Sequence, residues 1–189
     1  MPLLAAILLE YSRRMSSVTQ NGTSAGFFVE KGRRQVAHYN LKDAPVTTVE
    51  EHTAVGKAFC ERLFADPAVG KKLLDSNVVG RFVYFDDENW GEGVTVKLTI
   101  DCRGDEIQVL TGENDLKADF EIIESRITGH IYWMNKLNFM TAITRGQIKV
   151  NGSVRMAMKL LPVVKPGFVY YRETLADMGF DDLLAFPPD

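Results

Sequence analysis

Three acids and an amide follow one another at Asp86, Asp87, Glu88 and Asn89. Carboxylates at that density could hold a hard cation through several oxygen ligands. The run lacks the glycine and the distal glutamate of a calcium loop, so a solvated hairpin turn is the expected reading. Asp115, Lys117 and Asp119 place two acids and an amine around a strand start. General acid–base work needs groups held within hydrogen-bond reach of one reacting atom, and this spacing makes no such pair. His38, His52 and His130 fall in three separate elements and are expected at the surface or its boundary rather than as ligands. Cys60 and Cys102 stand far apart, without CxxC or zinc spacing, which fits two reduced thiols better than a disulfide framework. No GxSxG, Walker loop, GxGxxG or HExxH occurs. The sequence therefore predicts no catalytic group, no metal site and no cofactor.

What does gather is apolar. Along "SVRMAMKLLPVV", Arg155, Lys159 and Pro162 trace one narrow polar stripe, while Val154, Met156, Ala157, Met158, Leu160, Leu161, Val163 and Val164 cover nearly everything else. A helix lying on a core needs only one apolar face. This one, read as the final helix, predicts either sandwiching or a cavity beneath it. The preceding helical stretch is similar, with Ile131, Trp133, Met134, Leu137, Phe139, Met140 and Ile143. Methionine adapts to irregular partners and recurs at surfaces that accept varied ligands, but it also fills ordinary cores. Periodicity alone favours the core filler and leaves both readings open.

The elements that would position these side chains are legible from spacing. Thr48 followed by Glu51 fits a capping box, and Val55, Phe59, Leu63 and Phe64 continue as a helical stripe. Asp66-Pro67 opens a second short helix. "VVGRFVYFD", "GVTVKLTID", "EIQVLTG" and "KADFEIIE" then alternate with period two between turn residues, which predicts an antiparallel meander with one buried face. "SRITGHIYWMNKLNFMTAIT" is helical with a break near Asn138, "GQIKVNG" is a fifth strand, and Ser153 caps the last helix. Strands followed by helices on one side give an α+β layer architecture.

The chain has 189 residues, 46 % hydrophobic and 25 % charged, enough for one domain with a substantial core. A net charge of −3 gives no global reason to expect nucleic acid or an anionic membrane as partner. In "MPLLAAILLEYSRR" the apolar run is too short for a membrane span, and Arg13 and Arg14 follow it, the wrong order for a secretory signal. An amphipathic helix docking on the body or on a second copy is expected, followed by a linker at Ser16 to Gly26 and a hairpin turning at Lys31-Gly32. The expected location is cytoplasmic, where the sequons at Asn21 and Asn151 carry no glycosylation.

"LNFMTAITRGQIKVNGSVRMAMKL" (137–160) resembles the sterol carrier protein 2 family, which carries a similar Leu-Asn, Met, Gly-x-hydrophobic-basic-hydrophobic-x-Gly and Met-Lys-Leu run. "KADFEII" (117–123) is similar to the family's preceding strand, and the order of elements agrees. The resemblance spans about 50–165. It implies a five-stranded, mainly antiparallel sheet covered by helices and enclosing an apolar tunnel for sterols, fatty acids or fatty acyl-CoA. On that implication the tunnel is lined by Phe120, Ile122, Trp133, Leu137, Phe139, Met140, Ile143, Met156, Leu160 and Val164. Burying roughly ten methylenes gains about 8 kcal/mol before ordering costs, so useful affinity needs no charged group. Two departures stand out. The chain ends "AFPPD" rather than in a peroxisomal Ser-Lys-Leu signal. "ESRITGHIYW" also lacks the acidic helix start common in the family, which implies a different tunnel mouth.

The organisation expected is an N-terminal extension (1–49), a lipid-binding domain (50–165) and a C-terminal tail (166–189). The function expected is non-catalytic binding and carrying of an apolar small molecule: a fatty acid, acyl-CoA, sterol or isoprenoid-like lipid. The alternative is an accessory or assembly subunit of a larger enzyme system, for example in quinone or lipid metabolism. No nucleic acid and no stable membrane insertion are expected, and the two extensions favour protein contact, a homodimer included.

Overall fold

The computed structural model describes residues 43–188. The expected N-terminal helix, the linker at Ser16 to Gly26, the hairpin at Lys31-Gly32 and His38 lie outside the described residues. Helix α1 (Val49–Ala65) starts where Thr48 accepts from the Glu51 amide at 3.1 Å and Glu51 accepts from the Thr48 amide at 2.8 Å. This is the capping box read from the spacing, and it satisfies two amides that the helix itself leaves unbonded. Val55, Phe59, Cys60 and Leu63 form the buried stripe of α1. Asp66 ends α1 and caps α2 (Pro67–Ser76) by accepting from the Ala68 amide, with Pro67 in the first turn, where a missing N–H loses no bond.

The strands are β1 (Val79–Phe85), β2 (Thr95–Asp101), β3 (Gln108–Thr111), β4 (Phe120–Ser125) and β5 (Ile148–Gly152), in the spatial order β3-β2-β1-β4-β5. The first three form an antiparallel meander. The expected fourth step of that meander does not occur: β4 leaves β3, crosses to the far side of β1 and pairs with it in parallel. Polar contacts hold the crossing in place. The Asp119 carboxylate accepts from the Val79 amide at 2.8 Å, and the Asp119 amide donates to the Val79 carbonyl. The Arg81 guanidinium bonds Thr99 on β2, Glu121 on β4, and both Asn114 and the Leu116 carbonyl in the connecting loop. One five-donor fork thus fixes three strands and a loop on the outer face. The sheet is otherwise antiparallel, as expected.

Register places three rows of side chains across the inner face. Phe120, Gly80 and Ile100 form one, Val150, Ile122, Phe82 and Leu98 the next, and Ile148, Glu124, Tyr84 and Val96 the third. Helices α3 (Arg126–Trp133) and α4 (Phe139–Thr144) follow β4 and are separated at Asn138, whose side chain accepts from the Thr141 amide and caps α4. Ser153 caps α5 (Val154–Leu160). That helix is not the last. Helices α6 (Gly167–Asp177) and α7 (Asp181–Ala185) follow, and Tyr171, Leu175 and Leu183 join the main core. Arg62 of α1 pairs with both Glu173 and Asp177 of α6. The stretch expected to be a tail is therefore a layer of the same core.

Candidate functional site

Between the inner sheet face and helices α1, α3, α5 and α6 lies a cavity of about 100 Å³. One water needs roughly 10–15 Å³ on this measure, so the space takes a group of several atoms. Most of its wall is apolar. Val55, Phe59 and Leu63 come from α1, Phe82, Leu98, Ile100, Phe120 and Ile122 from the sheet, and Leu160, Leu161 and Val164 from α5 and the turn after it. Rings pack edge-to-face around it, with Phe59 at 4.6 Å from Trp133 and 5.4 Å from Tyr171 between centroids. Gly80 leaves room for the Phe120 ring, since a Cβ there would sit 2.7 Å from its Cζ.

One end of the wall is polar, and it is assembled from His52, Tyr84, Glu124, His130 and Tyr171. The His52 ring lies 4.8 Å from Tyr84 and 5.3 Å from Trp90. The Trp90 indole N–H donates to the Thr47 carbonyl at 2.7 Å and so ties the β1–β2 hairpin over the start of α1. His130 is fully engaged. Its Nε2 lies 2.8 Å from the Phe186 carbonyl oxygen, which only accepts, so Nε2 carries the proton and Nδ1 accepts from the Tyr171 hydroxyl at 2.9 Å. Burial, reinforced by the Arg126 charge, pushes His52 down to about 3. Burial likewise pushes His130 down to about 4, against the opposing bond to Phe186. Both imidazoles are neutral at pH 7.

Arg126 is itself buried, with Nε 2.7 Å from the Asp86 carboxylate and Nη1 2.8 Å from the Pro45 carbonyl. Asp86 also accepts from the Asn89 side-chain amide, so the acidic run is half turn chemistry and half ion pair. Glu124 is 3 % exposed, and its Oε2 has no hydrogen-bond partner among the described residues. Burial pushes its carboxyl up to about 8, so it is largely uncharged at pH 7 and can both donate and accept. Gly129 lets α3 settle on this pair: a Cβ there would be 2.7 Å from the Tyr84 ring and 3.2 Å from Glu124 Oε1. Burial also raises Cys60 to about 12 and Cys102 to about 11, which keeps both as unreactive thiols. Among the described residues no cluster of histidines, cysteines and acids could hold a metal.

Of the residues expected to line a tunnel, Phe120, Ile122, Trp133, Phe139, Leu160 and Val164 meet at this cavity. Leu137 and Met140 pack half-buried against the core, Ile143 is buried within it, and Met156 is 39 % exposed on α5. The expectation that the histidines sit at the surface or its boundary is corrected for His130, which is buried, while His52 is half-buried; both line one end of the cavity, because the start of α1 and the middle of α3 both cover the third inner row. Glu124 was missed. Its signal lay in the alternation of β4, where Phe120, Ile122 and Glu124 share the inward face.

No protein-family model and no curated protein matches the sequence. Among solved structures, the chain is similar to sterol carrier protein 2 from Yarrowia lipolytica in its apo form, at 18 % identity over 56 % of this chain and 83 % of that one, with a TM-score of 0.46. It is similar to sterol carrier protein domain 2 of Helicoverpa armigera at 20 % identity, covering 60 % and 87 %, with a TM-score of 0.47. It is also similar to a structure described as UbiJ-SCP2, a ubiquinone synthesis protein, at 14 % identity, covering 61 % and 89 %, with a TM-score of 0.43.

Proposed function

We propose that the protein binds and carries an apolar small molecule in the cavity between sheet and helices. The observation that supports this most directly is the cavity wall itself, a ring of apolar side chains drawn from three strands and six helices with no metal cluster among the described residues. The sequence motif at 137–160, similar to that of sterol carrier proteins, points the same way. Ligand pockets are mostly apolar with a few placed polar groups, and this wall has that composition.

The cavity in this structure is smaller than a whole long-chain lipid, so a ligand of that size needs the wall to give. The segment from Val154 to Val164 supplies a means. Only Ala157 is fully buried along it, the other apolar side chains pack half-buried against the core, and Leu160, Leu161 and Val164 face the cavity, so this short helix is the part of the wall assigned to move outward. Phe120, Ile122, Trp133, Phe139, Leu160 and Val164 are the contacts assigned to the ligand.

The test is displacement of a fluorescent fatty acid by fatty acids, acyl-CoA, sterols and isoprenoids, with and without chelator. Displacement by at least one class, unchanged by chelator, is expected. No displacement by any of them would remove the carrier reading.

A further inference from the structure

The inner face of β4 runs Phe120, Ile122, Glu124, and the third of these puts a carboxyl into the polar end of a mostly apolar wall. The group is buried and its Oε2 is unpartnered among the described residues. A buried polar atom without a partner destabilises the fold, and leaving it so in a cavity points to a bond made only when the cavity is filled. Building on the carrier reading, we propose that Glu124 recognises the polar end of the ligand, and that the preferred ligand is an apolar molecule whose one polar group is an uncharged oxygen, a hydroxyl or a carbonyl, inserted oxygen-first against β4.

The neighbours of Glu124 decide the charge preference. His52 faces the site from α1, Tyr84 from β1, His130 and Tyr132 from α3, and Tyr171 from α6, with the thiol of Cys60 on α1. Both histidines are held neutral by burial, and burial raises all three tyrosines, so none supplies a charge at pH 7. The nearby cation, Arg126, is committed to Asp86 and the Pro45 carbonyl. A ligand carboxylate would therefore enter an apolar site beside another carboxyl with no counter-charge, and burying an uncompensated charge is far less favourable than burying a hydroxyl. An uncharged Glu124 can instead donate to a ketone oxygen, or donate to and accept from an alcohol. Proteins that discriminate by pairing a buried polar group do so strongly, because the wrong ligand leaves that group unpaired.

The experiment uses octanol, a methyl ketone of the same length, octane and octanoate at pH 7, with binding followed by chemical-shift titration of the full-length protein and of Glu124→Gln and Glu124→Leu. Hydrophobic transfer of the chain is common to all proteins, so the readout is the ratio of octanol to octane affinity. That ratio is expected to fall about tenfold or more in Glu124→Leu and to stay within about threefold in Glu124→Gln, which still donates and accepts. The wild type is expected to bind octanoate about tenfold or more weakly than octanol. An unchanged ratio in Glu124→Leu, or octanoate binding tighter than octanol, overturns the assignment while leaving the carrier reading intact. Binding of none of the four overturns the assignment, and the displacement test then decides the carrier reading separately. A second readout is independent of the leucine variant's folding: the infrared band of a protonated carboxyl, present in the wild type at neutral pH and absent in Glu124→Gln, should shift with octanol and not with octane. A band that is missing, or that ignores octanol, also overturns the assignment.

Discussion

Helices α3 and α5 have opposite compositions and opposite burial. The first, "RITGHIYW", carries an arginine, a threonine and a histidine, yet seven of its eight residues are buried. The second, "VRMAMKL", is apolar except for Arg155 and Lys159, yet only Ala157 is buried. The difference lies in whether each polar group finds a partner. Arg126 has Asp86 and the Pro45 carbonyl, Thr128 has Ser125, and His130 has Tyr171 and Phe186. With those bonds made, α3 can lie between the sheet and α6 without stranding a donor. Helix α5 has apolar side chains to offer in most directions, but Val154, Met158 and Leu160 pack only half-buried against the core and Met156 is exposed.

The strongest way to break this contrast is to remove a partner from the polar helix. Arg126→Ala would leave Asp86 charged and nearly buried without its guanidinium, and breaking a buried pair in this way is expected to lose roughly 3–5 kcal/mol. Lys159→Ala, on the exposed side of α5, should stay within about 0.5 kcal/mol. Urea unfolding of both variants measures the difference. Similar losses in the two would show that the Arg126 bonds do not hold α3 in place.

The same contrast explains which features were legible in the sequence. Caps at Thr48 and Ser153, the helix start at Asp66-Pro67 and the break at Asn138 were readable because they depend on neighbours within three residues. The alternation of the strands was readable for the same reason, and so was the α+β class. The crossing of β4 to the far side of β1 was not, because Arg81 and Asp119 act on partners about forty positions away. The site divides likewise. Alternation put Phe120 and Ile122 on one strand face and the family resemblance implied them as lining, whereas His52, Glu124 and His130 become a group only when α1, β4 and α3 are brought together. Apolar surplus in α5 was a poor guide to depth, since it says what a helix could bury and not what is there to bury it.

A smaller effect, still near the polar helix, is the pH dependence of stability. Unfolded, Glu124 titrates near 4.5 and both histidines near 6.5; folded, Glu124 titrates at about 8, His52 at about 3 and His130 at about 4. Between pH 4.5 and 6.5 the unfolded chain holds more protons through two histidines and fewer through one carboxyl, so these groups together make stability rise with pH. Above 6.5 only Glu124 still differs: the folded chain keeps a proton that the unfolded chain has lost, and stability falls until about 8. Their combined contribution therefore peaks near pH 6.5 and declines by about 2 kcal/mol across the next pH unit and a half. Glu124→Gln should flatten the declining limb and make the rising one about twice as steep, since the carboxyl that opposes the two histidines is gone. Unfolding measured across this range checks both limbs, and a decline that persists in the variant would place its origin elsewhere.

The smallest expected effect lies on α5, where two residues one turn apart separate cavity from surface. Met156 and Leu160 are four positions apart and would share a face on an ideal helix. In the structure Leu160 lines the cavity while Met156 is 39 % exposed near the helix start, where Ser153 caps the chain as it leaves β5. Met156→Trp therefore adds its ring to solvent rather than to packed atoms, and should change stability by less than about 0.5 kcal/mol with ligand affinity unaltered. Leu160→Trp drives the same ring into the cavity. It should weaken binding of any ligand the wild type accepts, and the space already present should hold its destabilisation below the roughly 1–3 kcal/mol of an overpacked solid core. Paired unfolding and ligand titrations on the two variants read this directly. Equal loss of affinity from both substitutions would mean that α5 turns its Met156 side inward when the cavity fills, and the contrast between the two helices would then hold only for the empty protein.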